Sequence, residues 1–365
     1  MTPQEIVAEL LRRGVELAQD GGDISLRSPA GALTPELRRG IAEHKSAILA
    51  IVGAGNRVLA PHAAVLRTLV LERRRPGDAT LLRQSQMRIE GLYDATALGR
   101  AIDFVVERHE ALRSHFAEIA GMPAMVMGGQ PDAVVPQVVA SSHEVDSWLD
   151  ADATRPFDLG RAPLLRVAVV QQPNAHLIIL THHQLVADAW TTALIWRDLR
   201  AAYDASRSGG MPRTDAHRPD YLAAVRAEKA FEVSPACRAM TQWWVEELEC
   251  APVVPWPART KERTGGYWRG TLGLAATQSL ATLSELTSTT PFTVLLASFV
   301  TVLHCATGQR DISIGTPVAN RDELATQRVA GYFSNLVVLR IDAAADEPFR
   351  QLVARSEERR VGKEC

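Results

Sequence analysis

The sequence predicts a mixed α/β protein of the α+β kind, in which a small helix–hairpin–helix module precedes a larger two-lobed domain. Helix-capping residues are followed by apolar residues at helical spacing, and apolar runs typical of buried strands alternate with those helices. The chain has 365 residues and a hydrophobic content of 46%, which is enough for more than one core. Two or three folded units are therefore expected.

The module is predicted for residues 1–56. The stretch "TPQE" at 2–5 is a capping box with proline at the first helical position, and apolar residues follow it at helical spacing. Two consecutive glycines, Gly21 and Gly22, are expected to end this first helix. The first fifty residues therefore begin with an amphipathic helix.

The rest of the module is predicted from turn and cap residues. The stretch "DISLRSPAGAL" indicates two short strands, at 24–26 and 32–33, around a Ser-Pro-Ala-Gly turn. "TP" at 34–35 then caps a second helix, and "GAGNR" at 53–57 is typical of a linker. A module of this size is marginally stable when it is alone.

Residues 57–354 are predicted to form the larger domain, with one lobe at about 57–225 and a second at about 226–354. Asp94 is expected to cap a helix over 94–116, and "PLLRVAVVQ" and "AHLIILTHH" predict strands. "TP" at 290–291 begins a helix that is apolar nearly all round, which predicts burial, and Gly308 ends it before a strand in "RDISIGTPV". Alternating helices and strands of this length favour a two-lobed architecture.

Composition excludes several classes of function. The formal net charge is −2, which argues against an electrostatic nucleic-acid or membrane-surface binder. No apolar run approaches the ~20 residues that span a bilayer, and "MTPQEIVAEL" lacks a signal-peptide pattern, so a cytoplasmic location is expected. The four cysteines are scattered, which indicates neither a disulfide framework nor a metal site; they are Cys237, Cys250, Cys305 and Cys365.

Four phrases, in order, match one known family. They are "RHEALR" with a following Phe116, "PFDL" with "PLLR" at 156–166, "GTPVANR" at 315–321, and "GYFSN" with "LR" at 331–340. Together they resemble the condensation domain of nonribosomal peptide synthetases. The resemblance implies two lobes like those of chloramphenicol acetyltransferase, with a tunnel between them. It assigns the motif and tunnel positions to Arg108, His109, Arg113, Trp190 and Asn335.

The resemblance also implies a reaction. Phosphopantetheine arms, delivered by a donor and an acceptor carrier protein, would bring an acyl or peptidyl thioester and an aminoacyl thioester together, and no cofactor would be bound directly. The amine attacks the thioester to form an amide. That reaction needs an amine free of its proton and a stabilised oxyanion, and an imidazole suits the first task because its pKa of ~6.5 lies near neutral pH.

The family motif for this task is HHxxxDG, and its spacing differs in "THHQLVADAW". Aligning on Asp188 puts Gln184 in the place of the catalytic histidine and His183 in the place of the structural one, with Arg321 as the partner of Asp188. Aligning instead on the histidine pair requires a one-residue bulge. Glutamine cannot exchange a proton near neutral pH, although it can orient an amine or hold an oxyanion.

His182 remains a further candidate. It shares a strand face with Gln184 but lies ~6.6 Å back along the strand, so a water would have to bridge the gap. The alternative for both histidines is that they are satisfied core residues. The resemblance thus predicts a diverged condensation domain whose activity is impaired, and a catalytically inactive scaffold or docking module is the alternative function.

The N-terminal module resembles the docking domains that open some synthetase subunits, of the tubulysin type. The resemblance rests on element order and capping. It implies that the hairpin accepts a C-terminal tail of an upstream subunit as an added strand. Cations that suit an acidic tail are Arg27, Arg38, Arg39 and Lys45, and a solvated helix face is the alternative explanation for them.

The end of the chain is expected to be unusual. The last residues, "RSEERRVGKEC" at 355–365, are highly charged and are predicted to be a non-native translated adapter. The second lobe is accordingly predicted to be truncated near residue 354. Bare apolar surface on that lobe is the expected consequence.

Overall fold

A computed structural model describes residues 1–361 except for 92, 130, 141–144, 173, 211–219, 256–269, 322–323, 325 and 345–346. The chain divides into two compact units. The first unit comprises Met1–Ser234 with Ala319–Ser334, and the second comprises Pro235–Val318 with Asn335–Cys365. The N-terminal module therefore belongs to the same compact unit as the strands and helices that follow it.

The elements of the first unit, in chain order, are α1 (Pro3–Arg12), β1 (Glu16–Asp20), β2 (Asp23–Arg27), α2 (Pro35–Glu43), α3 (Lys45–Val52), β3 (Asn56–Leu59), α4 (Ala63–Arg74), β4 (Leu82–Glu90), α5 (Ala95–Arg108), β5 (His115–Ile119), β6 (Met122–Gly128), β7 (Gln137–Ala140), α6 (Val145–Thr154), β8 (Leu165–Gln171), β9 (Ala175–His183), α7 (Ala189–Arg207) and α8 (Tyr221–Glu232). Those of the second unit are α9 (Pro235–Leu248), α10 (Leu274–Thr287), α11 (Pro291–Thr307), β10 (Asp311–Val318), β11 (Asn335–Asp342) and α12 (Phe349–Val361).

The hairpin of the N-terminal module lies earlier in the chain than its turn residues predicted. Strands β1 and β2 pair in antiparallel register, Asp20 opposite Asp23, across Gly21 and Gly22. Both glycines have positive φ, 54° and 89°, which a two-residue hairpin turn requires and glycine adopts at low cost. The predicted strands at 24–26 and 32–33 were therefore wrong as a pair, because the glycines form the turn instead of ending a helix.

The second half of the module also differs from its prediction. Thr34 caps a helix as expected, since its side chain accepts a hydrogen bond from the Leu37 amide. That helix is interrupted at His44, which has φ −111° and ψ 22°, so α2 and α3 replace the single helix. Helical spacing continues across the break, which explains why apolar periodicity did not reveal it.

The predicted linker at 53–57 contributes to a sheet. Strand β3 pairs with β1 on one side and with β6 on the other, in the five-stranded order β2-β1-β3-β6-β5. The core beneath this sheet is shared between the module and the later strands. It includes Ile6, Leu10, Leu17, Val58, Ala124 and Val126. Arg226 of α8 reinforces the connection by a two-pronged ion pair with Glu16, at 2.6–3.2 Å.

A second sheet of the first unit positions the candidate site. Its order is β4-β9-β8-β7, with antiparallel pairs except for the parallel β7–β8 pair. Strand β9 ends at His183, which lies opposite Leu82 of β4. The Asp94 cap of α5 is confirmed, since its carboxylate accepts from the Ala97 amide. Helices α5 and α7 pack together with this sheet in one core that contains Ile102, Ile178 and Ile195.

The second unit is built around α11 and the antiparallel pair β10–β11. The predicted caps are confirmed, because Thr290 accepts from the Thr293 amide and Gly308 ends α11 in the left-handed conformation. The predicted burial of α11 on all sides was wrong. Val294, Ala297 and Val300 form the core with neighbouring elements, whereas the opposite face is exposed. The exposed side chains are Phe292, Leu295, Phe299 and Val302.

Helix α12 runs to Val361 and includes the buried Ser356. It thus covers part of the segment predicted to be a non-native tail. Residues 362–365 lie outside the described part of the chain, and the origin of the tail stays a prediction.

Among the described residues, no single helix is both long and apolar enough to cross a membrane. Helices α10 and α11 meet that requirement only as a pair, and the pair is bent by 105°.

Candidate active site

Asp188 lies at the beginning of α7 and is almost completely buried. Its carboxylate caps the helix by accepting from the Thr191 amide at 2.8 Å. It also accepts from the backbone amides of Phe333 and Ser334, at 3.1 and 3.3 Å. The carboxylate therefore joins α7 to the segment 319–334 of the same unit.

Arg321 provides the opposite charge. Its Nη2 lies 3.2 and 3.3 Å from the two carboxylate oxygens of Asp188, and the two side chains are only 1% and 2% exposed. Its Nη1 donates to the carbonyl oxygens of Thr326 and Val329, both at 2.6 Å. Burial lowers the pKa of Arg321, and the charge of Asp188 opposes this shift. The attraction between the two ions therefore offsets part of the cost of removing them from water.

Gly331 allows this segment to approach the rest of the unit closely. Its carbonyl oxygen accepts from Thr191 at 2.7 Å, and its amide donates to the same hydroxyl at 3.0 Å. A Cβ atom at Gly331 would lie 2.4 Å from Tyr221 Cε2, which no side chain tolerates. A glycine is thus required where the segment packs against α8.

Gln184 follows β9 directly and is half-buried. Its Nε2 donates to the Tyr332 hydroxyl at 3.0 Å, and its Oε1 accepts from Arg83 Nη2 at 3.3 Å. The backbone amide donates to the Leu81 carbonyl at 2.8 Å, which holds the residue beside the beginning of β4. A neutral, hydrogen-bonded amide therefore occupies the position that the sequence alignment on Asp188 gives to the catalytic histidine.

The two preceding histidines are buried, with exposures of 1% and 2%. His182 Nε2 lies 2.8 Å from Thr192 Oγ1, and His183 Nδ1 accepts from the Leu185 amide at 3.1 Å. His183 Nε2 is 3.7 Å from the carboxylate of Glu72, beyond hydrogen-bond distance. Burial lowers the pKa of both imidazoles to about 4, so both are neutral at pH 7.

The RHE phrase pairs with α7. Arg108 Nε and His109 Nε2 each lie 3.0 Å from Asp198 Oδ2. Burial raises the pKa of Asp198, but hydrogen bonds from His109 and Arg197 outweigh it and hold that pKa well below its usual range. Arg108 and His109 thus tie the end of α5 to α7. Their ion-pair partner is thus Asp198, and not the Asp188 carboxylate at the beginning of α7.

The remaining motif residues are dispersed. Trp190 is 41% exposed, and its Nε1 donates to the Gln327 carbonyl at 2.9 Å. Arg113 is half-buried in the turn before β5. Asn335 begins β11 and belongs to the second unit. Four of the predicted site residues hydrogen-bond to the segment 326–334, namely Gln184, Asp188, Trp190 and Arg321.

The docking cations lie on the N-terminal module. Arg27 at the end of β2 and Arg38 and Arg39 on α2 are exposed. Lys45, at the beginning of α3, forms an ion pair with Asp23. The module thus presents three exposed arginines, one of them at the end of the edge strand β2, while the lysine is engaged in an ion pair within the module.

Several contacts of the site were not anticipated from the sequence. Arg83 and Tyr332 hydrogen-bond to Gln184, and Arg67 contacts the Tyr332 hydroxyl. Asp198 accepts hydrogen bonds from Arg108 and lies within hydrogen-bond distance of His109. One signal was present, because "GYFSN" has tyrosine where the family phrase has phenylalanine. The other partners lie 89 or more residues from the groups they contact, which motif spacing does not reveal.

Two family models match this chain. The family model described as "Condensation domain" matches residues 65–362, and the "TubC N-terminal docking domain" matches residues 4–51. Phosphinothricin tripeptide synthetase PhsB of Streptomyces viridochromogenes is 31% identical over 304 residues, which are 79% of this chain and 25% of that protein. Malpibaldin synthetase of Mortierella alpina is 30% identical over 303 residues, 77% of this chain and 5% of that protein. The chain thus spans a quarter or less of the length of these relatives.

Solved structures show the same fold. The first condensation domain of the CDA synthetase has a TM-score of 0.74 and 25% identity, covering 83% of this chain and 74% of that one. A condensation domain structure from the enacyloxin polyketide synthase covers 98% of this chain and 75% of its own, with a TM-score of 0.65. At 22% identity this second match shows the fold alone. The chain belongs to the condensation domain family of nonribosomal peptide synthetases, with the chloramphenicol-acetyltransferase-like fold and an N-terminal docking domain.

Proposed function

We propose that residues 57–354 form an amide bond between two carrier-protein-bound thioesters. The acceptor amine attacks the carbonyl carbon of the donor thioester, the carbon–sulfur bond breaks, and the leaving thiolate takes up the proton that the nitrogen loses. The observation that carries this proposal is the buried Asp188–Arg321 pair beside Gln184. It supports the alignment on Asp188, in which Gln184 has the catalytic place and His183 the structural one.

The chemistry available at this place is limited to hydrogen bonding. An amide has donors and an acceptor but no proton to exchange near neutral pH, so Gln184 orients the amine or holds the oxyanion. His182 and His183 are poor substitutes as general bases, because burial lowers their pKa to about 4. A condensation reaction that proceeds slowly, without an efficient general base, is the expected activity.

Replacing Gln184 by histidine is expected to raise the rate of amide formation. A well-placed general base contributes roughly 10²–10⁴-fold, and we expect at least about tenfold from this change alone. The measurement is product formation from two carrier proteins loaded with an acyl and an aminoacyl group. Gln184→Leu, similar in size but apolar, is the matched control and is expected to abolish the slow activity of the unmodified chain.

The alternative function is a catalytically inactive scaffold, which the neutral Gln184 amide itself favours. It predicts no amide from the unmodified chain and none from Gln184→His, with carrier proteins whose loading has been verified. Product from Gln184→His alone would indicate divergence from an active ancestor. Product from the unmodified chain would establish it as an enzyme.

We propose that the docking domain, residues 1–56, binds the C-terminal tail of an upstream synthetase subunit. Strand β2 is an edge of the five-stranded sheet, so an extended tail can add to it. Exposed Arg27, Arg38 and Arg39 favour an acidic tail. The same proposal includes the domain boundaries and, as further partners, a donor and an acceptor carrier protein. It also includes a cytoplasmic location and no directly bound cofactor.

Charge reversal at Arg27 is expected to weaken binding of an acidic tail peptide by about tenfold at low salt, and less at high salt. The whole chain must be used, because residues beyond 56 complete the core of the module. Arg100→Glu on α5, exposed and outside the module, is the matched control and is expected to leave affinity unchanged. Equal weakening by both variants, or no saturable binding, would exclude docking at β2.

A further inference from the structure

Tyr332 contacts the Gln184 amide from the segment that also carries Arg321. The tyrosine is 4% exposed. Its hydroxyl lies 3.0 Å from Gln184 Nε2 and 3.5 Å from Arg67 Nη2. Amide and guanidinium nitrogens can only donate, so the phenol oxygen is the acceptor in both contacts.

The Gln184 side chain is thereby held at both ends. Arg83, which cannot accept, must face Oε1, and Tyr332 receives a hydrogen of Nε2. These two partners determine which way the amide is turned. One N–H and one lone pair of the amide remain available for a third group.

We propose that Tyr332 is a positioning residue for Gln184, so that positions 184 and 332 function as a pair. This inference rests on the proposed amide-forming function for its kinetic consequences. Tyrosine suits an amide at position 184, because its oxygen accepts the amide hydrogen and directs the second one toward the substrate. Phenylalanine at 332 leaves the amide held by Arg83 alone.

The same tyrosine hinders a histidine at position 184. A phenol beside an imidazole donates its hydrogen to the basic nitrogen, so that nitrogen takes up the ammonium proton only while this hydrogen bond is open. Phenylalanine leaves that nitrogen open. The effect of Tyr332→Phe on catalysis is therefore expected to change sign between the glutamine and histidine proteins.

Four proteins test the kinetic part: the unmodified chain, Tyr332→Phe, Gln184→His and the double variant. We expect Tyr332→Phe to lower kcat about tenfold in the glutamine protein and to raise it about tenfold in the histidine protein, which is within the range for coupled neighbours. KM for the acceptor carrier protein should stay within about twofold, since the amide contacts the reacting groups and not the carrier. Additive effects of the two changes would overturn the pairing.

Nuclear magnetic resonance of the Gln184 side-chain amide gives a second readout that needs no activity. Tyr332→Phe should move one N–H signal upfield and speed its exchange with water, because that hydrogen loses its acceptor. Tyr203→Phe is the matched control: Tyr203 is also buried, and its hydroxyl accepts from the Asp94 amide at 2.8 Å, away from Gln184. It should leave the Gln184 signals unchanged.

The kinetic and spectroscopic readouts distinguish failure of the positioning role from failure of the proposed condensation activity. Unchanged Gln184 signals in Tyr332→Phe would overturn the positioning role whatever the kinetics show. Shifted signals without amide product from any of the four proteins would support the contact and exclude the proposed condensation activity. If Tyr332→Phe does not fold in the glutamine protein, the comparison between Gln184→His and the double variant still tests the sign of the effect.

Discussion

Replacing Arg321 by alanine is expected to lower the free energy of unfolding by about 3–5 kcal/mol, the typical loss when one member of a buried ion pair is removed. The side chains of Arg321 and Asp188 are 1% and 2% exposed, so water cannot take the place of the guanidinium. The backbone amides that Asp188 also accepts from compensate its charge only partly. The segment 326–334 would also lose the hydrogen bonds that Arg321 donates to the Thr326 and Val329 carbonyls.

Urea or thermal unfolding measures this loss. The free energy of unfolding of Arg321→Lys should lie between those of Arg321→Ala and the unmodified chain, because lysine keeps the charge but lacks the planar guanidinium. The matched control is Arg161→Ala, because Arg161 pairs with Asp132 at 2.9 Å while both side chains are more than half exposed. Such a pair contributes about 0–1 kcal/mol. A loss of that size for Arg321→Ala would show that the pair does not hold the site together.

Acidification from pH 7 to 4.5 is expected to destabilise the first unit strongly. Burial lowers the pKa of His62, His182 and His183 to about 4, whereas an imidazole in the unfolded chain has a pKa of ~6.5. Between these values the unfolded chain binds more protons than the folded one, so stability falls as the pH is lowered from 6.5 and levels off near 4. Between pH 7 and 4.5 each imidazole contributes about 2 kcal/mol to this loss.

The combined loss over this range, roughly 6 kcal/mol, lies within the range of the whole stability of an ordinary domain. Glu228 works in the opposite direction, because burial raises its pKa. Asp198, whose pKa is lowered, loses its stabilising effect only at more acidic pH. The histidines are therefore expected to determine the slope between pH 6.5 and 4.5.

Urea unfolding at several pH values measures that slope. His62→Phe is the most informative variant, because the His62 Nε2 is buried without a hydrogen-bond partner and its ring stacks on Phe333. The variant should lower the slope by about 1.4 kcal/mol per pH unit, which corresponds to one proton. An unchanged slope would mean that His62 is not held neutral by its surroundings.

Local signals in the sequence predicted local structure well. Caps at Thr2, Thr34, Asp94 and Thr290 begin helices because each needs only its own side chain and an amide three residues later. The hairpin was misplaced because Gly21 and Gly22 suit both a helix end and a two-residue turn. The turn occurs because β1 forms before the two glycines and pairs with β2. Strand β1 also pairs with β3, whose residues lie about forty positions away.

In the candidate site, too, the sequence predicted what depends on neighbouring residues and missed what depends on distant ones. Counting back from Asp188 predicts the unusual place of Gln184, since that inference uses neighbouring residues only. The partners that hold the amide, Arg83 and Tyr332, lie 101 and 148 residues from it. Apolar periodicity also predicted burial for all of α11, although one face is exposed, because periodicity indicates which faces are apolar but not which elements cover them.

By itself the sequence determined the helix caps, the family phrases and the departure from the catalytic motif, because each of these depends on residues close together in the chain. Only the tertiary structure decided that the docking module shares a sheet and a core with the condensation domain, and that the glutamine is held by an arginine and a tyrosine. These features depend on which distant segments pack together, and that is a property of the folded core.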